Sequence, residues 1–370
     1  MEENEIKIEE NPQEQKIKTE EEKTKARKTH IKDIKLEVNE LSPEIKKSFK
    51  IRTITALLLA VSVVPLLILG DWFYVGLAFV FSIIGCYEFI NVLSNKKFPL
   101  IVDIFTFIMT MSFIFWAPLK QLLSQNFTPD AAVFYDSSKG YFYMSDIFIS
   151  TLGVAVMILC LFLFALSYSK FDVTDVCYLT TMSILFALCV QAVTLLRFCP
   201  ESSIAKIDGS TNFVYEHHIE SSLLVVYVAL GAFMSDIGAY VFGVLFGKHK
   251  MNPRISPKKT WEGFVGGILF SFIVTFSFAM ICDALNTPIL YGILDKKHWW
   301  YILLLSLTMP PISVLGDLLF STVKRYYKIK DFGRIFPGHG GLLDRIDSLL
   351  VTSLFVALFI LVVRYFPFVS

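Results

Sequence analysis

The stretch WWYILLLSLTMPPISVLGDLLF, residues 299–320, runs directly into STVKRYYKIKDFGRIFPGHGGLLDRID, residues 321–347. The first part is long and apolar enough to cross a bilayer as a helix, which takes roughly 20 residues. The second part carries Lys324, Arg325, Lys328, Lys330, Arg334 and Arg345 against Asp331, Asp344 and Asp347, and a further apolar run, 347–366, follows it. Span, charged loop, span is the pattern of a polytopic membrane protein, and it decides the fold class. Within the loop, the Pro-Gly-His-Gly-Gly at 337–341 cannot continue a helix. Its glycines allow close backbone approach, and exposed amides there can form an anion-binding nest. A helix is predicted to start next, with Asp344 and Asp347 at i, i+3 on one face. Paired carboxylates beside a cluster of cations suit a bound metal–polyphosphate: the acids hold Mg²⁺ and the cations take phosphate charge.

Working outward, the apolar run before the loop holds an acid, Asp317, with Ser321 at i+4 and Lys324 at i+7 on the same helical face. Pro310-Pro311 is expected to break the start of that helix and open a polar pocket. A second intramembrane acid, Asp236, lies in GAFMSDIGAYVFGVLFG. A carboxylate at membrane depth is costly and faces a cavity or a partner. The loop after it, GKHKMNPRISPKKTWEGF, has one spacer too few for a P-loop after Gly243 and lacks its Ser/Thr, so that motif is rejected. In the same loop Ser256-Pro257 suits a turn, which places Lys258, Lys259 and Thr260 near a helix start, where phosphate binds well.

Composition agrees with the membrane reading. The chain of 370 residues is 54% hydrophobic, with 35 Phe and mean hydropathy +0.58. Apolar runs at 53–70, 73–93, 99–117, 146–168, 176–197, 221–246, 263–284, 299–320 and 347–366 predict about nine transmembrane helices in an all-α fold. Residues 1–50 form a Glu/Lys-rich tail, expected to be disordered, and 51–370 form the transmembrane domain. The basic cluster Lys46, Lys47, Lys50 and Arg52 argues for a cytosolic N-terminus. The loops 94–98, 169–175, 247–262 and 321–346 then fall on the cytosolic side, where their Lys/Arg excess belongs. The basic residues sit at membrane edges, which excludes a nucleic-acid surface. Six Cys show no metal spacing, and no disulfide is expected between Cys199 and Cys282. Asn126-Phe127-Thr128 is a glycosylation sequon followed by Pro129. The chain shows no internal repeat, which disfavours an inverted-repeat transporter.

Ser321, Lys324-Arg325, Lys330-Asp331, Gly333, Phe336-Pro337, His339-Gly340-Gly341, Asp344-Arg345 and Asp347 together resemble the signature of the CDP-diacylglycerol synthases, the phosphatidate cytidylyltransferases. Ser256 to Gly263, and Asp236 with Ala239-Tyr240, resemble two further motifs of that family, so the resemblance covers roughly 221–347. It implies that CTP and phosphatidic acid give CDP-diacylglycerol and pyrophosphate; the tail and the substrate point to an endoplasmic reticulum membrane, and the charged loops at helix ends to a cytosolic site. It implies Asp317, Asp344 and Asp347, and more weakly Asp236, as ligands of Mg²⁺, with room for a second cation. Lys324, Arg325, Lys330, His339 and Arg345 are then the catalytic set. Lys258, Lys259, Thr260, Ser321, Asp331, Gly340 and Gly341 are the substrate-binding set. The lipid bilayer is the setting, and the resemblance suggests a homodimer. Three other readings are open to the sequence, one of them an inactive membrane scaffold, which the intact signature disfavours. A CTP-dependent lipid kinase of the dolichol type would release CDP. A polytopic transporter or channel would use Asp236 and Asp317 but would not need HisGlyGly followed by two acids.

Overall fold

A computed structural model of the chain describes residues 71–93, 99–123, 144–197, 222–290, 292–335 and 340–365. The expected span at 53–70, the tail, the Asn126 sequon, Cys199 and His339 lie outside these residues. The chain separates into the units Met1–Lys50 and Ile51–Ser370, and everything described below belongs to the second.

Eight helices follow in order: α1 (Asp71–Asn91), α2 (Leu100–Leu123), α3 (Met144–Ser167), α4 (Val173–Arg197), α5 (Ser222–Phe246), α6 (Trp261–Ala284), α7 (Trp299–Tyr326) and α8 (Leu343–Tyr365). Among the described residues six helices are long and apolar enough to cross a membrane: those of α1, α4, α5, α6, α7 and α8. The apolar parts of α2 and α3, Leu100–Trp116 and Leu152–Ser167, are shorter. The protein is thus an all-α, multi-pass membrane protein, and the described residues support six spans of the nine expected. Between α5 and α6 lies the one described sheet, an antiparallel hairpin of β1 (Lys250–Asn252) and β2 (Ser256–Thr260).

Two apolar clusters hold the bundle together. One joins α1, α2, α3 and the first part of α4 to Phe320, Phe332, Leu343 and Leu350, so it underlies the signature segment. The other joins the end of α4 to α5, α6, α7, the loop at Ile289–Leu294 and the later part of α8. Helices α4, α7 and α8 belong to both and tie them together. Helices α5 and α6 pack closely through small residues: a Cβ on Gly267 would stand 2.7 Å from the Ser235 carbonyl. Ser271 uses that closeness to donate to the Gly231 carbonyl at 2.9 Å.

The prolines do not break α7, as had been expected. Pro310 and Pro311 lie inside one continuous helix. The neighbouring helix supplies polar partners along that stretch, as membrane helices require. The Tyr227 hydroxyl shares a 2.8 Å hydrogen bond with Ser306 and reaches the Ile302 carbonyl at 3.3 Å, while Ser235 donates to the Pro310 carbonyl at 3.3 Å. Helix α7 ends six residues later than its apolar run, at Tyr326, so Ser321, Lys324 and Arg325 are helical. It stops in a left-handed turn at Lys328 (φ 55°), with the Ile329 amide bonded to the Lys324 carbonyl at 2.9 Å and the Lys328 amide to the Arg325 carbonyl at 3.2 Å. That Schellman arrangement turns the chain back over the helix end.

Candidate active site

The polar residues of the signature converge where α5, α7, α8 and the hairpin meet. From α7, Asp317 forms an ion pair with Lys259 of β2 at 2.6 Å and accepts from the Ser321 hydroxyl at 3.1 Å. Lys259 therefore reaches in from the second loop, as the sequence suggests. One turn along α7 from Ser321, Lys324 pairs with Asp344 of α8 at 2.7 Å. Asp344 is more heavily committed than its partner acid. Its second oxygen accepts from the Phe332 amide at 2.8 Å and the Gly341 amide at 3.0 Å. Asp347 is buried, and its Oδ1 accepts from the Ser348 amide at 2.8 Å. Asp236 of α5 is accessible, bonds to Ser348, and lies within electrostatic reach of Lys259, Asp317 and Asp347. Four carboxylates and two ammonium groups thus share one region.

At the end of the Pro-Gly-His-Gly-Gly segment, the Gly341 amide and the two amides after it are held by protein carboxylates. The Gly341 amide goes to Asp344, and the Leu342 and Leu343 amides go to Glu88 of α1, each at 2.8 Å. Gly340 needs its missing side chain: its φ is +88°, and a Cβ would stand 3.2 Å from both Asp331 and Asp344. Glu88 was not singled out from the sequence. It sits in CYEFI inside the expected span 73–93, so the reasoning applied to Asp236 and Asp317 would have found it.

Other expected residues stand apart. Arg325, expected in the catalytic set, is exposed and binds backbone: its Nε donates to the Ile255 carbonyl at 3.2 Å and an η nitrogen to the Ile329 carbonyl at 3.3 Å. It straps the hairpin turn to the end of α7. Thr260 is the N-cap of α6, accepting from the Gly263 amide at 3.2 Å. Lys258 and Lys259 therefore precede a helix start but lie on a strand, which the sequence did not indicate. Glu262 fixes the entry to β1 by accepting from the Lys248 and His249 amides and from the His249 ring at 2.6 Å. Lys258, Lys330, Asp331 and Arg345 are exposed around the charged centre.

Oxygen donors alone make this region suited to a hard cation. Among the described residues, however, no three His, Cys, Asp or Glu side chains are grouped closely enough to hold an ion by themselves. Mg²⁺ is commonly bound by one or two carboxylates plus substrate phosphates, so a closed protein cage is not required. Asp317 and Asp347 fit that role, with Asp236 beside them. Asp344 fits less well, because Lys324 and two amides already use its oxygens.

The cytidylyltransferase family is matched over residues 50–363. This chain belongs to that family. The match takes in α1 to α8, and with them every carboxylate of the candidate site. Phosphatidate cytidylyltransferases of Staphylococcus epidermidis, Staphylococcus saprophyticus and Staphylococcus aureus are each 40% identical over 148 residues. That alignment takes in 40% of this chain and 53% of theirs, so the chain spans about half the length of these bacterial relatives.

Proposed function

We propose that this cytidylyltransferase-family protein moves a cytidylyl group from CTP to phosphatidate, giving CDP-diacylglycerol and pyrophosphate. The observation that carries the reading is the convergence of Lys259, Asp317, Lys324, Asp344 and Asp347 from three separate segments at helix ends. A helix end is where a lipid headgroup and a water-soluble nucleotide can meet. The lipid phosphate is already a competent nucleophile. One of its oxygens bonds to the α-phosphorus of CTP, the α–β bridging bond breaks in line, and its electron pair leaves with pyrophosphate. Two anions must approach, so alignment and charge neutralisation are the main tasks. Lys259 is an ammonium group held by Asp317 in a half-open pair, ready to turn toward phosphate oxygens, while Lys324, locked on Asp344, supplies fixed positive charge. Lys258, Lys330 and Arg345, at the exposed margin, supply further positive charge for the incoming anions. Mg²⁺, held by Asp317 and Asp347, would neutralise charge on the nucleotide phosphates.

The basic loops 247–262 and 321–346 support a cytosolic site, by the positive-inside bias. An endoplasmic reticulum membrane belongs to the same proposal and rests on the substrate and the charged N-terminal segment. Homodimerisation rests on the family resemblance. The test is product identity. Purified protein with phosphatidate and CTP labelled at the α-phosphate should place the label in lipid and release unlabelled pyrophosphate. Label recovered in CDP, with a lipid phosphorylated from the γ position, would replace this reading by a CTP-dependent lipid kinase.

A further inference from the structure

The signature loop is gripped by a helix more than 250 residues earlier in the chain. Glu88 of α1 is 1% exposed, and both its oxygens are engaged. One accepts from the Leu342 amide, the other from the Leu343 amide, both at 2.8 Å. These belong to the first amides of α8, which no intrahelical carbonyl can satisfy. A local side-chain cap would satisfy them as well. It would fix α8 only to itself, whereas Glu88 fixes the start of α8 to α1.

The loop is also shaped around this carboxylate. A Cβ on Gly333 would stand 2.3 Å from Glu88 Oε1, and one on Gly341 2.6 Å from both oxygens. Both limbs of the loop therefore close on Glu88, and each needs a residue without a side chain to do so. One residue beyond the gripped amides, Asp344 ties Phe332 and Gly341 together and pairs with Lys324. One turn further stands Asp347, within electrostatic reach of Asp317. A burial role alone would not place a carboxylate here, since an apolar residue would fill an α1 position in the bundle without the desolvation cost.

We propose that Glu88 is the positioning residue of the signature loop: its carboxylate pins the start of α8, and so sets Asp344 and Asp347 against α7. Its activity readout rests on the cytidylyl transfer proposed above; its structural readout does not. The test uses the full chain in detergent with Glu88→Gln. Glutamine keeps the shape but presents an NH₂ group to one of the two amides, donor against donor. Turnover number per folded molecule is expected to fall about 10- to 100-fold, the range for outer-shell partners of a metal site. KM for CTP should stay near wild type, because the side chains that meet the nucleotide are intact. Hydrogen exchange of the peptide containing Leu342 and Leu343 should accelerate. Gly341→Ala disturbs the same contact from the other side and leaves α1 unaltered. It should reproduce the kinetic defect, and the double variant should lose little more than either alone. Wild-type turnover per folded molecule in Glu88→Gln, or unchanged exchange at Leu342 and Leu343, overturns the proposal. If the wild-type protein itself transfers no cytidylyl group, the functional reading fails, and the exchange measurement alone still decides whether Glu88 pins the loop.

Discussion

Two lysine–carboxylate pairs lie side by side in this protein and differ in kind. Lys324 and Asp344 have side chains 8% and 2% exposed, and Asp344 also holds two backbone amides. Lys259 and Asp317 are 22% and 28% exposed, and Asp317 adds only the Ser321 hydroxyl. The first pair is built into the loop. The second is half open and can exchange one partner for another. Identical residue types in one motif therefore divide into a member that shapes the site and a member free to meet a ligand. Burial and the number of amide donors separate them; spacing in the sequence does not.

The largest expected effect comes from the closed pair. Asp344→Asn leaves Lys324 buried without its counter-ion and turns an acceptor into a donor facing backbone N–H groups. Breaking a buried pair from one side costs about 3–5 kcal/mol. Thermal unfolding in detergent should show a clear loss of stability, and added Mg²⁺ should not restore turnover. A variant as stable as wild type that responds to Mg²⁺ would place Asp344 among the exchangeable ligands and erase the contrast between the pairs.

The open pair should behave in the opposite way. Asp317→Asn is expected to keep its fold and lose turnover about 10- to 100-fold. Part of that loss should return as Mg²⁺ is raised, because the missing term is metal affinity. Asp347→Asn should follow it, since Asp347 on α8 lies within electrostatic reach of Asp317 on α7. Turnover measured against Mg²⁺ concentration at matched folded fraction checks both. Curves superimposing on wild type would remove these acids from the metal site.

Arg325 sharpens the comparison at its edge. It spans two carbonyls, Ile255 and Ile329, so it links the hairpin carrying Lys259 to the end of α7. Arg325→Ala removes two exposed hydrogen bonds with a net worth of about 0.5–1.5 kcal/mol each. The hairpin should loosen, and KM for CTP should rise about two- to tenfold, on the same energy scale. The turnover number should hold. A loss in turnover number as large as that of Asp317→Asn would return Arg325 to the reacting phosphates.

Six of the nine expected spans, and the charged centre, were legible in the sequence because hydropathy and local charge are local properties. Asp317, Ser321 and Lys324 could be placed on one face from helical spacing alone, and the structure keeps them there. What was hidden depends on distant partners. The Glu88 contact joins residues 254 positions apart, and nothing near CYEFI announces which amides it will accept. The destination of the Gly341, Leu342 and Leu343 amides was hidden for the same reason: glycines show that a backbone can approach closely, but not which anion it meets. Pro310-Pro311 misled because a helix-breaking rule drawn from water does not carry over to a helix packed against neighbours inside a membrane bundle, where prolines are tolerated. The strand at Ser256–Thr260 was missed because Pro257 and two lysines oppose strand propensity, and its pairing with Lys250–Asn252 supplies what propensity lacks.

Thr260 carries the smallest expected effect and separates two roles cleanly. The sequence placed it among the substrate-binding residues; the structure makes it the N-cap of α6, buried against Gly243 and Gly247. As a cap, its hydroxyl satisfies one amide at the helix start, and Thr260→Ala should cost about 0.5–2 kcal/mol of stability. Thr260→Ser keeps the oxygen and should recover most of it. Because the hydroxyl is spent on the Gly263 amide, neither variant should change KM for CTP at matched folded fraction. The adjacent Lys259 gives the control. Lys259→Met leaves the cap intact and removes the ammonium group that faces Asp317, so it should impair turnover with little change in unfolding temperature. A rise in KM for Thr260→Ala that Thr260→Ser reverses would show the hydroxyl meeting the nucleotide. The hairpin end would then belong to the open side of the site with Lys259, and the boundary between scaffold and ligand-facing residues would move by one position.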